Sequence, residues 1–406
     1  MPYKKIYKTE IAVLYANYVA SFLYPLILIP FLSRALGPEN WGKIAIVSAY
    51  SVFIGGYVDY AFHLSGQRDI SLLTDNKERE KLLAAVFSAK LIMYSCAWVL
   101  YLGAILMFGW VEKTKLYGCS MLIGGIGGLN FIWYLRGIGK NLYASLVEFF
   151  CKTLALIFAF AFVRNAADLD IYFIVQIAVA LLLFVISVSS VRCPPFEIML
   201  GIKSIQTGFK TFILHMSGTV GSLLPILILS GVSTEQNVGI YSAAEKITRS
   251  ASGILDPFKQ YLFPRMAAKL AVCKKNAAKE LLEGFLKLNI PAIAVSASLL
   301  TFSSPIVNFL FGERFIGASG VLKILSLLPL LILAQNTFVV QWLLIKKREW
   351  ALVLLQVSSY ILVVVCFALC YTNGFDAIKS MGYSFMLGEM MIGFGAFAMF
   401  LRGWNE

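Results

Sequence analysis

Along the 406 residues, long apolar runs alternate with short polar connections. Twelve runs stand out, at 11–32, 42–63, 82–108, 119–135, 144–163, 171–191, 211–231, 239–263, 286–304, 319–344, 351–371 and 380–401. An α-helix rises about 1.5 Å per residue, so about 20 residues cross the hydrocarbon core of a bilayer. Every run has that length or nearly so. The pattern predicts an all-α integral membrane protein of about 12 transmembrane helices. No connection is long enough to form a separate extramembrane domain.

One run breaks the pattern. "GIYSAAEKITRSASGILDPFKQYLFPR" (239–265) holds Glu245, Lys246, Arg249, Asp256 and Lys259. At 100° per residue, Glu245, Arg249, Ser252, Asp256 and Lys259 fall within about 40° of one line, with Lys246 about a quarter turn away. A charge at the bilayer centre costs about 2.5–3.5 kcal/mol on insertion scales, so a stripe of them facing lipid is strongly disfavoured. Two arrangements avoid that cost. The stripe can face a water-filled cavity. Alternatively, Glu245 and Arg249 neutralise one another across one turn, while Asp256 and Lys259 snorkel to the interface. Polar groups on other runs favour the cavity: Asp59, the i,i+4 pair Glu148 and Lys152, Lys323, Gln335 and Glu389.

The chain also repeats itself weakly. Residues 33–60 align without gaps on 230–257, matching Ser33 to Ser230, Gly42 to Gly239, Gly56 to Gly253 and Asp59 to Asp256. The offset is near half the chain and maps the second run on the eighth. Six runs separate them, so both halves would share one orientation. This predicts two parallel six-helix bundles, 1–200 and 201–406, around a central cavity.

Basic residues set the topology. With the N-terminus in the cytoplasm, the inside segments take 23 of the 35 Lys and Arg, including "DNKEREK" (75–81), "KLAVCKKNAAK" (269–279) and "KKR" (346–348). The outside connections hold Arg34, Lys43, Lys113, Lys115, Arg164, Arg314 and Lys379. Both termini are therefore expected inside, and the first run, lacking a small-x-small cleavage site, is expected to be retained. This asymmetry also accounts for the net charge of +13 without a nucleic-acid partner.

Composition agrees: 59% of residues are hydrophobic and 14% charged, against about 25% charged in soluble domains. The seven cysteines are scattered through apolar runs and are expected to act as small packing residues. His63 and His215 are expected at helix ends, without metal-ligand spacing, and no metal or cofactor is expected. "GGIGG" (124–128) lies inside an apolar run rather than after a strand, so it is expected to serve close helix packing.

The expected cavity carries candidate chemistry. Arg249, Lys246, Lys152 and Lys323 are candidates for binding phosphate oxygens of an anionic substrate. Glu245, Asp59 and Glu389, with Asp256 and Glu148, are candidate cavity acids or coupling-ion ligands. The residues do not separate these roles.

Several segments resemble one family. "PLILIPFLSRALGPENWGKIAI" (25–46), "NVGIYSAAEKI" (237–247), "YLFPRMA" (261–267) and "PIVNFLFGERFIGAS" (305–319) are similar, in order, to polysaccharide transporters of the Wzx type, the O-antigen flippases. These belong to the multidrug/oligosaccharidyl-lipid/polysaccharide exporter superfamily. One departure is "DYAF" (59–62), where the family often has a glycine after an aromatic residue. The resemblance implies twelve helices in two bundles and a bacterial cytoplasmic-membrane location. It implies an undecaprenyl-diphosphate-linked oligosaccharide moved from the inner to the outer leaflet. Membrane lipids, a polysaccharide polymerase and a chain-length regulator are the candidate partners. Motif carry-over reaches Arg34 and the Glu245–Lys246–Arg249 segment without assigning roles.

Two other readings differ in class. A multidrug-type exporter of the same fold would favour acidic groups for cationic drugs, whereas the charges within these runs are mostly basic. A membrane polymerase or glycosyltransferase would need a larger outer loop. "DLD" (168–170) has sugar-nucleotide spacing but falls in a short loop expected outside.

Overall fold

The computed structural model describes residues 2–108, 113–191, 194–253, 274–344 and 348–404, without the side chains at 2–23, 25, 26, 274–278, 280, 340, 341, 344, 403 and 404. The described residues are almost all helical and contain no strand. Ten of their helices are long and apolar enough to cross a membrane. The twelve runs read from sequence include two that this set omits. One is the N-terminal part of α1, and the other is the charged 239–263 run, whose described part holds Glu245, Lys246 and Arg249.

The chain divides into two compact units, Met1–Val220 and Gly221–Glu406. The first begins with α1 (Pro2–Asp59), which contains two helices joined at Gly37, where φ is 75°. That left-handed conformation suits glycine, and Pro38 cannot continue a helix ladder backwards. There follow α2 (Ser65–Leu72), α3 (Asn76–Phe108), α4 (Thr114–Leu129), α5 (Ile132–Gly137), α6 (Asn141–Phe162) and α7 (Leu169–Ser189). The α8 helix (Ile198–Val232) carries the chain into the second unit. The second contains α9 (Glu235–Gly253), α10 (Lys274–Thr301), α11 (Ser303–Phe311), α12 (Ala318–Leu325), α13 (Leu328–Gln335), a π-helical stretch (Asn336–Leu344), α14 (Glu349–Thr372) and α15 (Ala377–Trp404).

The run at 319–344 is thus not one helix. Pro329 opens α13 instead of kinking a longer span; it lacks the N–H that a helix interior requires and suits a first turn. The "DLD" segment has a local structural explanation. Asp168 and Asn165 form a reciprocal capping box, and Asp170 pairs with Lys115 at 2.6 Å.

In the first unit α1 packs along α4. A strained turn then ends α1. Tyr60 and Ala61 have φ of 52° and 59°, a region that costs an L-residue roughly 1–2 kcal/mol. This is the "DYAF" segment. Burial over-determines the turn: Tyr60, Ala61 and Phe62 are all buried, and Tyr60 stacks on Phe212 with ring centroids 4.1 Å apart. Ala61→Gly is expected to leave thermal stability unchanged or slightly raised. Ala61→Val is expected to lower it by about 1–3 kcal/mol, because a β-branched residue is a poor fit at positive φ. Melting of the two purified variants in detergent checks this.

Candidate functional site

The strained turn has a consequence for chemistry. It folds His63 back on Asp59, the last residue of α1. The His63 ring Nδ1 lies 2.5 Å from Asp59 Oδ2, and the His63 backbone N–H donates to the same oxygen at 3.3 Å. The other oxygen, Oδ1, accepts from Lys90 Nζ at 2.8 Å. Lys90 lies mid-way along α3 and its side chain is 1% exposed. It also donates to the carbonyls of Gly128 at 2.9 Å and Asn130 at 3.3 Å. An ammonium group has three donors, and all three are used. The break between α4 and α5 frees these carbonyls from helix bonding, so Lys90 acts as their cap. Its ammonium also sits 5.9 Å from the Trp133 ring centroid.

Asp59 and His63 line a cavity of about 720 Å³ within the first unit. Gln67, Trp133, Arg136, Glu148, His215 and Thr219 also face it. Arg136 Nη2 meets Glu148 Oε2 at 2.8 Å. The His215 ring from α8 lies edge-on to the His63 ring, with centroids 4.8 Å apart. The Trp133 Nε1–H is buried and has no hydrogen-bond partner among the described residues. Each cation named here has a carboxylate partner: Lys90 with Asp59, Arg136 with Glu148.

The second unit holds its own charged cluster on α9. Arg249 Nε donates to Glu245 Oε1 at 2.8 Å, and Glu245 is buried. Arg249 Nη2 donates to the Ser222 carbonyl at 3.2 Å, and its guanidinium sits 5.9 Å from the Phe385 ring centroid. Glu389 of α15 accepts from Gln335 Nε2 at 2.5 Å and lies within electrostatic reach of Arg249. The Tyr241 hydroxyl is fully buried in the same region, with no hydrogen-bond partner among the described residues.

The residues singled out in the sequence therefore separate into sets. Asp59 and Glu148 meet at the first unit's cavity. Glu245, Arg249 and Glu389 gather in the second unit. Lys246 is half-buried on α9. Lys152 and Lys323 are exposed on α6 and α12, and Arg34 is exposed three residues before the Gly37 break. Asp256 lies outside the described residues.

Sequence reasoning missed Lys90, Arg136 and the histidines. Lys90 is the ninth residue of the third apolar run and is not among the polar groups singled out there. His215 was expected at a helix end; α8 begins at Ile198, so His215 is mid-helix. A lone lysine well inside an apolar run was the available signal for Lys90. Nothing in the sequence pairs His63 with His215, because the contact depends on the turn at Tyr60–Ala61.

Similarity to known proteins follows this geometry. The family model for polysaccharide biosynthesis proteins matches residues 8–269. The chain belongs to this family. Among curated proteins, the "Putative O-antigen transporter" of Escherichia coli (strain K12) is 25% identical over 356 residues, covering 85% of this chain and 86% of that protein. The "Putative O-antigen transporter" of Shigella dysenteriae is 24% identical over 352 residues, covering 84% and 87%. Among solved structures, the lipid II flippase MurJ in an inward closed conformation superposes with a TM-score of 0.70 at 13% identity, covering 95% of this chain and 87% of that one. An inward-facing multidrug transporter of the MATE family, in the MOP superfamily, gives 0.61 at 14% identity, covering 94% of each. At such identities these structures establish the fold alone: this polysaccharide biosynthesis family member has a MurJ- and MATE-like transporter fold. All four relatives are named as transporters or flippases, none as an enzyme.

Proposed function

We propose that the protein is a flippase for a lipid-linked oligosaccharide, moving it from the cytoplasmic to the outer leaflet of a bacterial inner membrane by alternating access. The carrier lipid in this reading is undecaprenyl diphosphate. The observation that carries the proposal is the first unit's cavity: about 720 Å³ lined by Gln67, Trp133, Arg136, Thr219 and the Asp59–His63 pair, in a chain whose helices are otherwise built for lipid. Membership of the family and the O-antigen transporter names of its relatives support it. The Lys and Arg distribution supports termini in the cytoplasm.

The physics of such a step is favourable. The lipid tail stays in hydrocarbon while the sugars and diphosphate follow polar side chains. Outward transfer of negative charge from a negative cell interior releases about 2.3 kcal/mol per charge per 100 mV. Hydroxyl-rich sugars suit the first cavity, where indole, amide and hydroxyl groups stand beside charges already paired. Arg249 and Lys246, with Lys152, Lys323 and Arg34, remain the proposed contacts for phosphate oxygens.

A deletion strain tests the reading. The expected result is loss of surface polymer on a polysaccharide gel, with the lipid-linked oligosaccharide retained on the cytoplasmic face. Single repeat units reaching the outside but failing to grow would instead indicate a polymerase. A normal polymer with changed drug tolerance would indicate a multidrug exporter. Within this reading, Lys246→Ala is expected to lower surface polymer several-fold at unchanged protein level, checked by gel and immunoblot. Arg249→Ala is expected to lower protein level as well, because it leaves buried Glu245 without its partner.

A further inference from the structure

The chain has two histidines in 406 residues, and the fold brings both to one wall of one cavity with ring centroids 4.8 Å apart. We propose that His63, held by Asp59, and His215 form one coupled proton-binding site whose occupancy sets the charge of the first unit's cavity.

The geometry fixes which nitrogen can take the proton. Ionised Asp59 only accepts hydrogen bonds, so the neutral His63 ring carries its hydrogen on Nδ1, facing Asp59 Oδ2 at 2.5 Å. That leaves the lone pair of His63 Nε2 open, on a side chain 44% exposed beside a carboxylate side chain that is 15% exposed. A proton added at Nε2 makes an imidazolium held by Asp59. Two imidazolium rings this close would repel, so the pair takes its second proton less readily than its first.

The other charged groups around the pair are already balanced. Asp59 of α1 faces His63, and Lys90 of α3 stands behind it at 2.8 Å. Arg136 of α5 and Glu148 of α6, on the same cavity, pair at 2.8 Å. With both rings neutral, these four groups sum to zero. One proton makes the lining net positive, and it does so in the pH range where histidine changes charge. Proton uptake and binding of an anionic head group then favour each other, by linkage. That last consequence rests on the flippase reading; the proton site itself does not.

The scarcity of histidine supplies the test. Protein labelled with 13C,15N-histidine, purified with a histidine-free tag and placed in lipid nanodiscs, has two imidazole signals to follow by NMR. The expected result is two separated midpoints. In His215→Gln, the His63 midpoint should move by about one pH unit, as for coupled sites. His215→Phe keeps a ring against His63 and should give the same shift if the glutamine variant folds poorly. Midpoints that coincide in the native protein, or a His63 midpoint unmoved in either variant, would overturn the proposal. The titration uses no transported substrate, so its failure is distinct from failure of the flippase reading, which the deletion strain decides.

Discussion

Asp59→Ala is expected to be the most damaging substitution of a charged residue in the first unit. It removes the carboxylate that neutralises Lys90, whose side chain is 1% exposed. Stranding one member of a buried pair costs about 3–5 kcal/mol, far more than a surface ion pair contributes. In a unit of 220 residues this corresponds to an apparent melting loss on the order of 10 °C. The same change removes the anchor of His63, so the turn at Tyr60–Ala61 loses both its hydrogen bonds to the Asp59 carboxylate. Asp59→Ala combined with Lys90→Met is expected to recover part of the loss, because no buried charge remains. Recovery stays incomplete, since the Gly128 and Asn130 carbonyls lose their Lys90 donor. Melting of the single and double variants in detergent checks this; a double variant no more stable than Asp59→Ala would refute the pairing argument.

The parts of this architecture legible in the sequence follow from local rules. Apolar run length locates the helices, because bilayer thickness sets a minimum that a single chain must meet. Residue type locates Glu245 and Arg249, since spacing of four along a helix brings such side chains together, and they do pair at 2.8 Å. Asp59 and Glu148 were visible as charges in apolar runs, but their partners were not. Lys90 reaches Asp59 across 31 residues, and Arg136 of α5 reaches Glu148 of α6 across the turn at 138–140. The α4–α5 break that Lys90 caps rests on side-chain detail: the Asn130 amide oxygen accepts from the Ile132 N–H, and Ser187 Oγ accepts from the Phe131 N–H. The "DYAF" departure from the family's glycine coincides with the strained turn, but it predicted neither the turn nor its delivery of His63 to Asp59. Exposed Lys152 and Lys323 show the opposite limit: charge within an apolar run does not by itself specify which way a side chain points.

The glycines of "GGIGG" carry the second large effect, and they differ among themselves. A Cβ added to Gly124 would lie 2.3 Å from the Ser51 carbonyl oxygen and 2.8 Å from its Cα. Both obstacles are backbone atoms of α1, so neither can rotate aside; α1 and α4 must separate. Overpacking of this kind costs about 1–3 kcal/mol when side chains can adjust, and backbone on both sides places Gly124→Ala at or above the upper end. A Cβ at Gly125 meets the ring of Tyr94 instead, a side chain that can swing away at the cost of its hydrogen bond to the Met121 carbonyl. Gly127 has nothing within 4 Å of its added Cβ. Gly127→Ala is therefore expected to be neutral or to stabilise α4 by up to about 1 kcal/mol through helix propensity. The predicted order of melting temperature is Gly127→Ala highest, Gly125→Ala intermediate and Gly124→Ala lowest. Ser51, Gly55 and Gly124 also line the cavity. Forcing α1 from α4 would thus widen the chamber where Asp59 and His63 sit, and Gly124→Ala should lower surface polymer further than its loss of protein level accounts for. Equal stability of the three variants would mean that α1 and α4 are not in backbone contact at Ser51.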